Sequence, residues 1–182
     1  VNLFIGFSIG ANVLTAQYYG AKDQKNIHQT IHTSILISLI GGIILIAVGV
    51  LLARPLLELM ATPEDVLDQA TLYMKIYFCG MPATMVYNFG AAILRAIGDT
   101  RRPLYFLFTA GVLNVFLNLF FVIVFHMGVA GVALATIISQ TLSAILVVRC
   151  LTNLDGICRL YLKQLKIYPE KLLRLVQIGL PA

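Results

Sequence analysis

Two asparagines, Asn114 and Asn118, stand one helical turn apart in the middle of an uncharged run from Pro103 to Phe125. At 1.5 Å of rise per residue both amides share one face, ~6 Å apart along the axis. Thr136 and Gln140 repeat that spacing in the next apolar run, Met127 to Val148. Amide and hydroxyl oxygens that converge between helices can hold a hard cation, or hydrogen-bond a carboxyl group from a third helix. The same groups can instead bond one another and glue the helices together, at about 0.6 kcal/mol or somewhat more per bond. The residue types leave both readings open.

Other chemistries find no footing. Asp, Glu, Lys and Arg are absent from the central part of every long apolar run, and the sequence has neither an HExxH motif nor a plausible catalytic triad. It therefore does not read as an enzyme, and a ring of fixed charges for an ion channel is missing too. His28 and His32 are spaced i, i+4 without a third ligand nearby, so they read as an interfacial pair rather than a metal site. Cys79, Cys150 and Cys158 lack metal or redox spacing and read as small apolar fillers, with no disulfide placed. Met81 and Met85 share a face with Met74, Phe78 and Asn88. Such a face can adapt to apolar ligands, although helix packing is its commoner use.

The elements that position these residues are membrane spans. Hydrophobic residues make up 59% of the chain, charged residues only 12%, and the mean hydropathy is +0.90. The net charge of +5 sits in loops and span ends. With no basic-aromatic face, it suits anionic lipid headgroups rather than nucleic acid. Five spans follow. A runs from Val1 to about Tyr19, B from Thr33 to Ala53, C from Ile76 to Leu94, D from Pro103 to Phe125 and E from Met127 to Val148. Each run suits the ~30 Å hydrocarbon core. A sixth span begins near Leu172. The chain opens and closes inside apolar helices and reads as an interior piece of a longer protein.

Local signals sharpen the boundaries. Gly6 and Gly10 form a GxxxG pair that lets another backbone approach span A. Arg54-Pro55 closes span B. Thr62-Pro63-Glu64-Asp65 reads as a helix start with Thr62 as N-cap, and one helix runs from Pro63 to about Ile97 with a kink at Pro82. Gly98 ends that helix and Asp99-Thr100 caps the next. Only a few residues around His126 and Gly128 join D to E, which makes them an antiparallel hairpin. Residues 151–171 are strongly basic, with Cys158, Tyr161, Leu162 and Leu165 on one helical face, and read as an amphipathic helix in the interface. Eleven of the thirteen lysines and arginines lie in the A–B, C–D and post-E segments. The positive-inside rule places those segments in the cytoplasm.

The sequence resembles the multidrug and toxic compound extrusion (MATE) transporters. The resemblance rests on Gly10-Ala11 followed by Ala16-Gln17-Tyr18-Tyr19-Gly20-Ala21-Lys22-Asp23, and on Arg95-Ala96-Ile97-Gly98-Asp99-Thr100-Arg101-Arg102-Pro103. Leu113-Asn114 with Asn118, Gly128-Val129-Ala130-Gly131-Val132-Ala133 and Ala135-Thr136 continue it. It implies an all-α membrane protein of twelve helices in two lobes related by a pseudo-twofold axis. In that frame residues 1–150 hold the second to sixth helices of the N-lobe. Residues 151–171 form a cytoplasmic inter-lobe linker, and 172–182 open the seventh helix.

The resemblance also implies a mechanism: a multi-pass protein of the cytoplasmic membrane exports small organic cations in exchange for H+ or Na+ by alternating access. No other cofactor is implied, and the partners are the bilayer and the C-terminal lobe. Asn114, Asn118 and Thr136 match N-lobe positions that, in some members, join an aspartate of the first helix in a cation or proton site. Some members carry aspartate where Asn118 stands; the asparagine here removes a titratable group but keeps an oxygen that coordinates sodium. Gln17 and Gln140 are further candidates for the coupling site or cavity, and Met81 and Met85 for substrate contact. The rival readings are a lipid-linked oligosaccharide flippase of the same superfamily and a non-transporting membrane scaffold subunit.

Overall fold

A computed structural model describes residues 2–181. Seven helices follow in order: α1 (Asn2–Gly20), α2 (Gln24–Leu59), α3 (Glu64–Cys79), α4 (Met81–Ala96), α5 (Arg101–Leu119), α6 (Gly128–Thr152) and α7 (Pro169–Gly179). No strand occurs among the described residues, so the fold is all-α. Among the described residues three helical stretches are each long and apolar enough to cross a membrane: Gln24–Leu59, Arg101–Val124 and Gly128–Thr152.

Helix α4 is the centre of the bundle, packing against α1, α2 and α6. Ile27, Ile31 and Ile35 of α2, Ala91, Ile93 and Leu94 of α4, and Val147 and Leu151 of α6 form the main core. Two polar bonds fix the neighbours of α4. Asn12 of α1 donates its amide to Ala92 O at 2.8 Å, and the Tyr87 hydroxyl donates to Pro103 O at 2.8 Å. Helix α5 packs chiefly on α6 and leaves Leu104, Phe108, Val115 and Phe116 exposed. An outward face of large apolar side chains is what a bilayer-facing helix requires.

Several boundaries differ from the sequence reading. Arg54-Pro55 does not close the second helix, which runs on to Leu59 with Pro55 inside it. The proline ring removes one bond to the preceding turn. The last turn persists, with Met60 N bonding Leu56 O and Arg54 paired to Glu58 at 2.9 Å. The single helix expected from Pro63 to Ile97 is divided at Gly80 into α3 and α4. Pro82 lies in the first turn of α4 and has no N–H to give the turn behind it, so the kink becomes an end and a restart. Thr62 is not the N-cap of α3; Pro63 holds that place without a side-chain bond, and Thr62 N closes the preceding turn on Leu57 O.

The turn before α5 forms as the sequence requires. Gly98 takes φ +91° beyond α4, and Asp99 N returns to Leu94 O at 2.9 Å. Asp99 accepts from Arg102 N at 3.1 Å and caps α5, while Thr100 makes no side-chain cap bond. Helix α5 continues as a wider turn over Phe120–Val124, and a reversal through His126 and Gly128 opens α6, giving the D–E hairpin.

Residues 153–168 do not form the expected amphipathic helix. After Gly156 (φ +98°) they run as a strap across the end of the bundle, helical only as a single 3-10 turn at Leu162–Gln164. Cys158 and Leu160 point inward, with Arg159 and Tyr161 outward, the two-residue alternation of an extended chain. The strap's donors find remote partners: Leu160 N bonds Leu151 O, and Tyr161 N bonds His32 Nε2, both at 3.0 Å. Helix α7 then starts at Pro169, slightly earlier than expected, and crosses α1 closely. A Cβ on Gly10 would stand 2.5 Å from Leu175 O, and one on Gly179 would stand 2.7 Å from Gly6 O. The GxxxG pair of α1 thus receives α7.

Candidate polar cleft between α5 and α6

The hairpin brings three of the candidate residues into one hydrogen-bonded line. Asn118 Nδ2 donates to Asn114 Oδ1 at 2.9 Å, and Asn114 Nδ2 donates to Thr136 Oγ1 at 3.5 Å. Thr136 Oγ1 donates in turn to Val132 O at 3.0 Å. The line ends in one unmet acceptor: Asn118 Oδ1 is buried and has no hydrogen-bond partner among the described residues. An orphaned carbonyl oxygen costs about 1–3 kcal/mol when no donor or cation reaches it. Its lone pairs suit a cation or the O–H of a protonated acid.

Asn114 and Thr136 also line a cleft of about 320 Å³ between the two helices, with Gln140, Ser139 and Ser143 of α6 and Gly111 of α5. Ser139 and Ser143 were not singled out in the sequence. Their i, i+4 spacing beside Thr136 and Gln140 is the signal that marks them. Both hydroxyls donate to carbonyls of α6, at 2.8 Å each, which leaves their lone pairs free to accept. The lining is neutral throughout, rich in oxygen and free of carboxylate or cation.

The other candidates lie elsewhere. Gln17 is exposed on α1, which packs on α2, α4 and α7, and it does not line the cleft. Met81 and Met85 are fully buried with Leu45, against Phe4, Tyr77 and Phe78, so they serve helix packing and present no surface to a ligand. His28 and His32 stack with ring centroids 3.9 Å apart. Among the described residues no group of three His, Cys, Asp or Glu could hold a metal ion.

A second polar cluster, unforeseen in the sequence, joins α1, α2 and α7 at the basic end of the bundle. Lys171 is buried; its ammonium donates to Tyr18 Oη at 3.1 Å and to Asn26 Oδ1, and stands 4.4 Å from the Tyr18 ring centre. Arg174 donates to the same hydroxyl at 2.9 Å. Asp23 caps α2 through Asn26, whose side-chain and backbone donors hold the Asp23 carboxyl below its ordinary range; Lys171 and Lys25 add to this.

The sequence matches the MatE family model over residues 1–120. The chain belongs to the MatE family. A MatE relative, the probable multidrug resistance protein YoeA of Bacillus subtilis, is 30% identical over 192 aligned residues, covering 100% of this chain and 41% of that protein. YpnP of the same organism, also named a probable multidrug resistance protein, is 35% identical over 140 residues, 77% of this chain and 32% of its own. The chain thus spans less than half the length of these curated relatives. In structure it matches a MATE transporter in a bent conformation at a TM-score of 0.92, with 24% identity, over 99% of this chain and 40% of that one. An inward-facing MATE transporter matches at 0.90, also at 24% identity, over 99% and 41%. The MatE fold therefore accounts for nearly the whole chain, and its members are transporters rather than enzymes.

Proposed function

We propose that this chain is the larger part of the N-lobe of a multidrug exporter that moves organic cations outward across the cytoplasmic membrane in exchange for H+ or Na+. The observation that carries the proposal is the buried, unpartnered Asn118 Oδ1 at the end of the Asn118–Asn114–Thr136 line. A cation or a protonated carboxyl group from a helix outside this chain supplies what that oxygen lacks. Asn114 and Thr136 hold the amide in place, and Gln140 lends a further oxygen to the cleft. The neutral lining supports this reading over a lipid-linked oligosaccharide flippase, whose cavity needs cations for a pyrophosphate.

The names of the relatives support multidrug export. Structures of the family in inward-facing and outward-facing forms, with TM-scores of 0.90 and 0.89 to this chain, support alternating access. The distribution of basic residues supports cytoplasmic A–B, C–D and post-E segments. In this scheme residues 1–150 form the N-lobe helices, 151–171 the linker, and 172–182 the start of the seventh helix, which joins the C-terminal lobe.

Full-length protein in liposomes tests the proposal. A sodium gradient, and separately a pH gradient, is imposed while a fluorescent organic cation is followed, for wild type and Asn118→Leu at matched reconstitution. Gradient-driven movement that the substitution abolishes is the expected result. Movement untouched by the substitution removes the coupling role from Asn118. No movement under either gradient turns the reading to a flippase, tested with a lipid-linked sugar, and then to a scaffold.

A further inference from the structure

On the side of α6 away from the polar cleft, a second groove of about 470 Å³ runs between three helices. Leu39 of α2, Ala83 and Val86 of α4, and Ala144 and Val148 of α6 form its apolar length. It ends at the basic end of the bundle, where Arg149, Thr152 and Leu162 close it. Two cations stand at this mouth, and a third is next in sequence to a residue that lines it. Arg149 lines it, Arg159 donates through Nε to Thr152 O at 3.0 Å, and Lys163 follows Leu162 on the exposed 3-10 turn. Among the described residues the ion pairs are Arg54 with Glu58 and Asp68, and Arg102 with Asp99. None of these three cations has an acidic partner among the described residues.

We propose that this groove binds one anionic phospholipid, its acyl chain lying between α2, α4 and α6 and its phosphate held by Arg149, Arg159 and Lys163. The groove commits to this occupant by its chemistry. An apolar channel along membrane-crossing helices needs a hydrocarbon chain. Unpaired guanidinium and ammonium groups, gathered where that channel meets the interface, need a negative headgroup. The fold supplies the geometry: α6 ends at Thr152, and the strap then doubles back to set Arg159 against the last turn of α6, which carries Arg149, and to bring Leu162, the neighbour of Lys163, to the groove.

The test is native mass spectrometry of the full-length protein in detergent with equal amounts of dioleoylphosphatidylglycerol and dioleoylphosphatidylcholine. Wild type is expected to retain one phosphatidylglycerol in preference. Arg149→Gln and Arg159→Gln are each expected to lower that preference by about fivefold, the weight of one basic residue beside an anionic membrane surface. Lys163→Gln, on the exposed turn, gives the same readout if an arginine variant fails to fold. Val148→Phe fills the groove, keeps every charge, and is expected to reduce retention of both lipids. Equal retention of the two lipids by wild type overturns the proposal, as does a preference unchanged in every charge variant. Retention of no lipid also overturns it, since the groove is then covered by the rest of the protein.

Discussion

The backbone N–H of Tyr161 donates to Nε2 of His32 at 3.0 Å, across a sequence separation of 129 residues. The other ring nitrogen, Nδ1, lies 2.7 Å from the His28 carbonyl oxygen and donates to it. The two bonds together fix His32 as the neutral Nδ1–H tautomer. A proton on Nε2 would set two donors face to face. Burial is the main force against an imidazolium here and outweighs the backbone bonds; around the ring stand the His28 imidazole stacked on it, the Tyr161 phenol ring 6.4 Å away, and the Arg159 guanidinium 5.4 Å from the centre of that phenol ring.

The strap is therefore expected to loosen in acid. The folded chain holds the neutral ring, whereas the unfolded chain can protonate it, so protons favour release. The stability is fully present above about pH 6.5, the unfolded histidine's value, and is lost progressively below it. Hydrogen exchange at residues 158–166, corrected for intrinsic rates, is expected to accelerate as pH falls. In His32→Ala it should be fast at every pH. The same variant is expected to lose about 1–3 kcal/mol through the orphaned Tyr161 N–H. Protection that ignores pH in wild type would show that the strap is held by other contacts.

Cys158 reports on the same strap. It is buried beside Leu160, and burial raises its thiol from 9.0 to about 11. At neutral pH this leaves about a hundredfold less thiolate than an ordinary cysteine has, and the thiolate is the reactive form. Peptide mapping after N-ethylmaleimide treatment is expected to find Cys158 unmodified in native protein and modified after unfolding. His32→Ala, by releasing the strap, should expose it without unfolding the helices.

The crossing of α1 and α7 depends on missing side chains. The nearest atom to a Cβ on Gly10 is a backbone oxygen of α7, Leu175 O at 2.5 Å, and backbone cannot swing aside as a side chain can. Gly10→Ala is expected to cost about 1–3 kcal/mol by forcing the helices apart. Gly20→Ala, at a position where a Cβ would meet nothing within 4 Å, is the control and is expected to cost nothing. Melting temperatures of the two variants check this directly; equal values would show that the helices separate freely.

What the sequence disclosed follows from the range of the forces involved. The Asn114, Asn118 and Thr136 cluster was legible because polar residues at helical spacing stand out in an apolar run, and a short connection dictates a hairpin. The turn at Gly98-Asp99 was legible because its bonds join residues close in sequence. The strap was not, because Cys158, Tyr161, Leu162 and Leu165 fall on a helical face by coincidence, while His32 and Leu151 supply the bonds that decide its path. The burial of Met81 and Met85 was hidden for the same reason. It depends on Gly42 and Gly49 of α2, which let Pro82 and Phe78 lie directly against that helix.

The asparagine line separates coupling from mere adhesion between helices. Asn118 Oδ1 is buried without a partner, so it contributes no bond to stability as it stands. The amide's other half donates to Asn114 at 2.9 Å, a bond worth about 0.6 kcal/mol in a membrane interior. Asn118→Leu loses that bond but also removes the orphaned oxygen's cost of about 1–3 kcal/mol, so it is expected to melt no lower than wild type in the absence of a coupling ion. A ligand that binds only the folded state raises stability with its concentration. If sodium is the coupling ion, it is expected to raise the melting temperature of the wild-type full-length protein and to leave that of Asn118→Leu unmoved. If the proton is, sodium moves neither, and the wild type shows a pH dependence of melting beyond the one that His32 gives both proteins. A wild type indifferent to sodium, with the same pH dependence as Asn118→Leu and with that variant melting lower under all conditions, would assign the asparagines to helix adhesion alone.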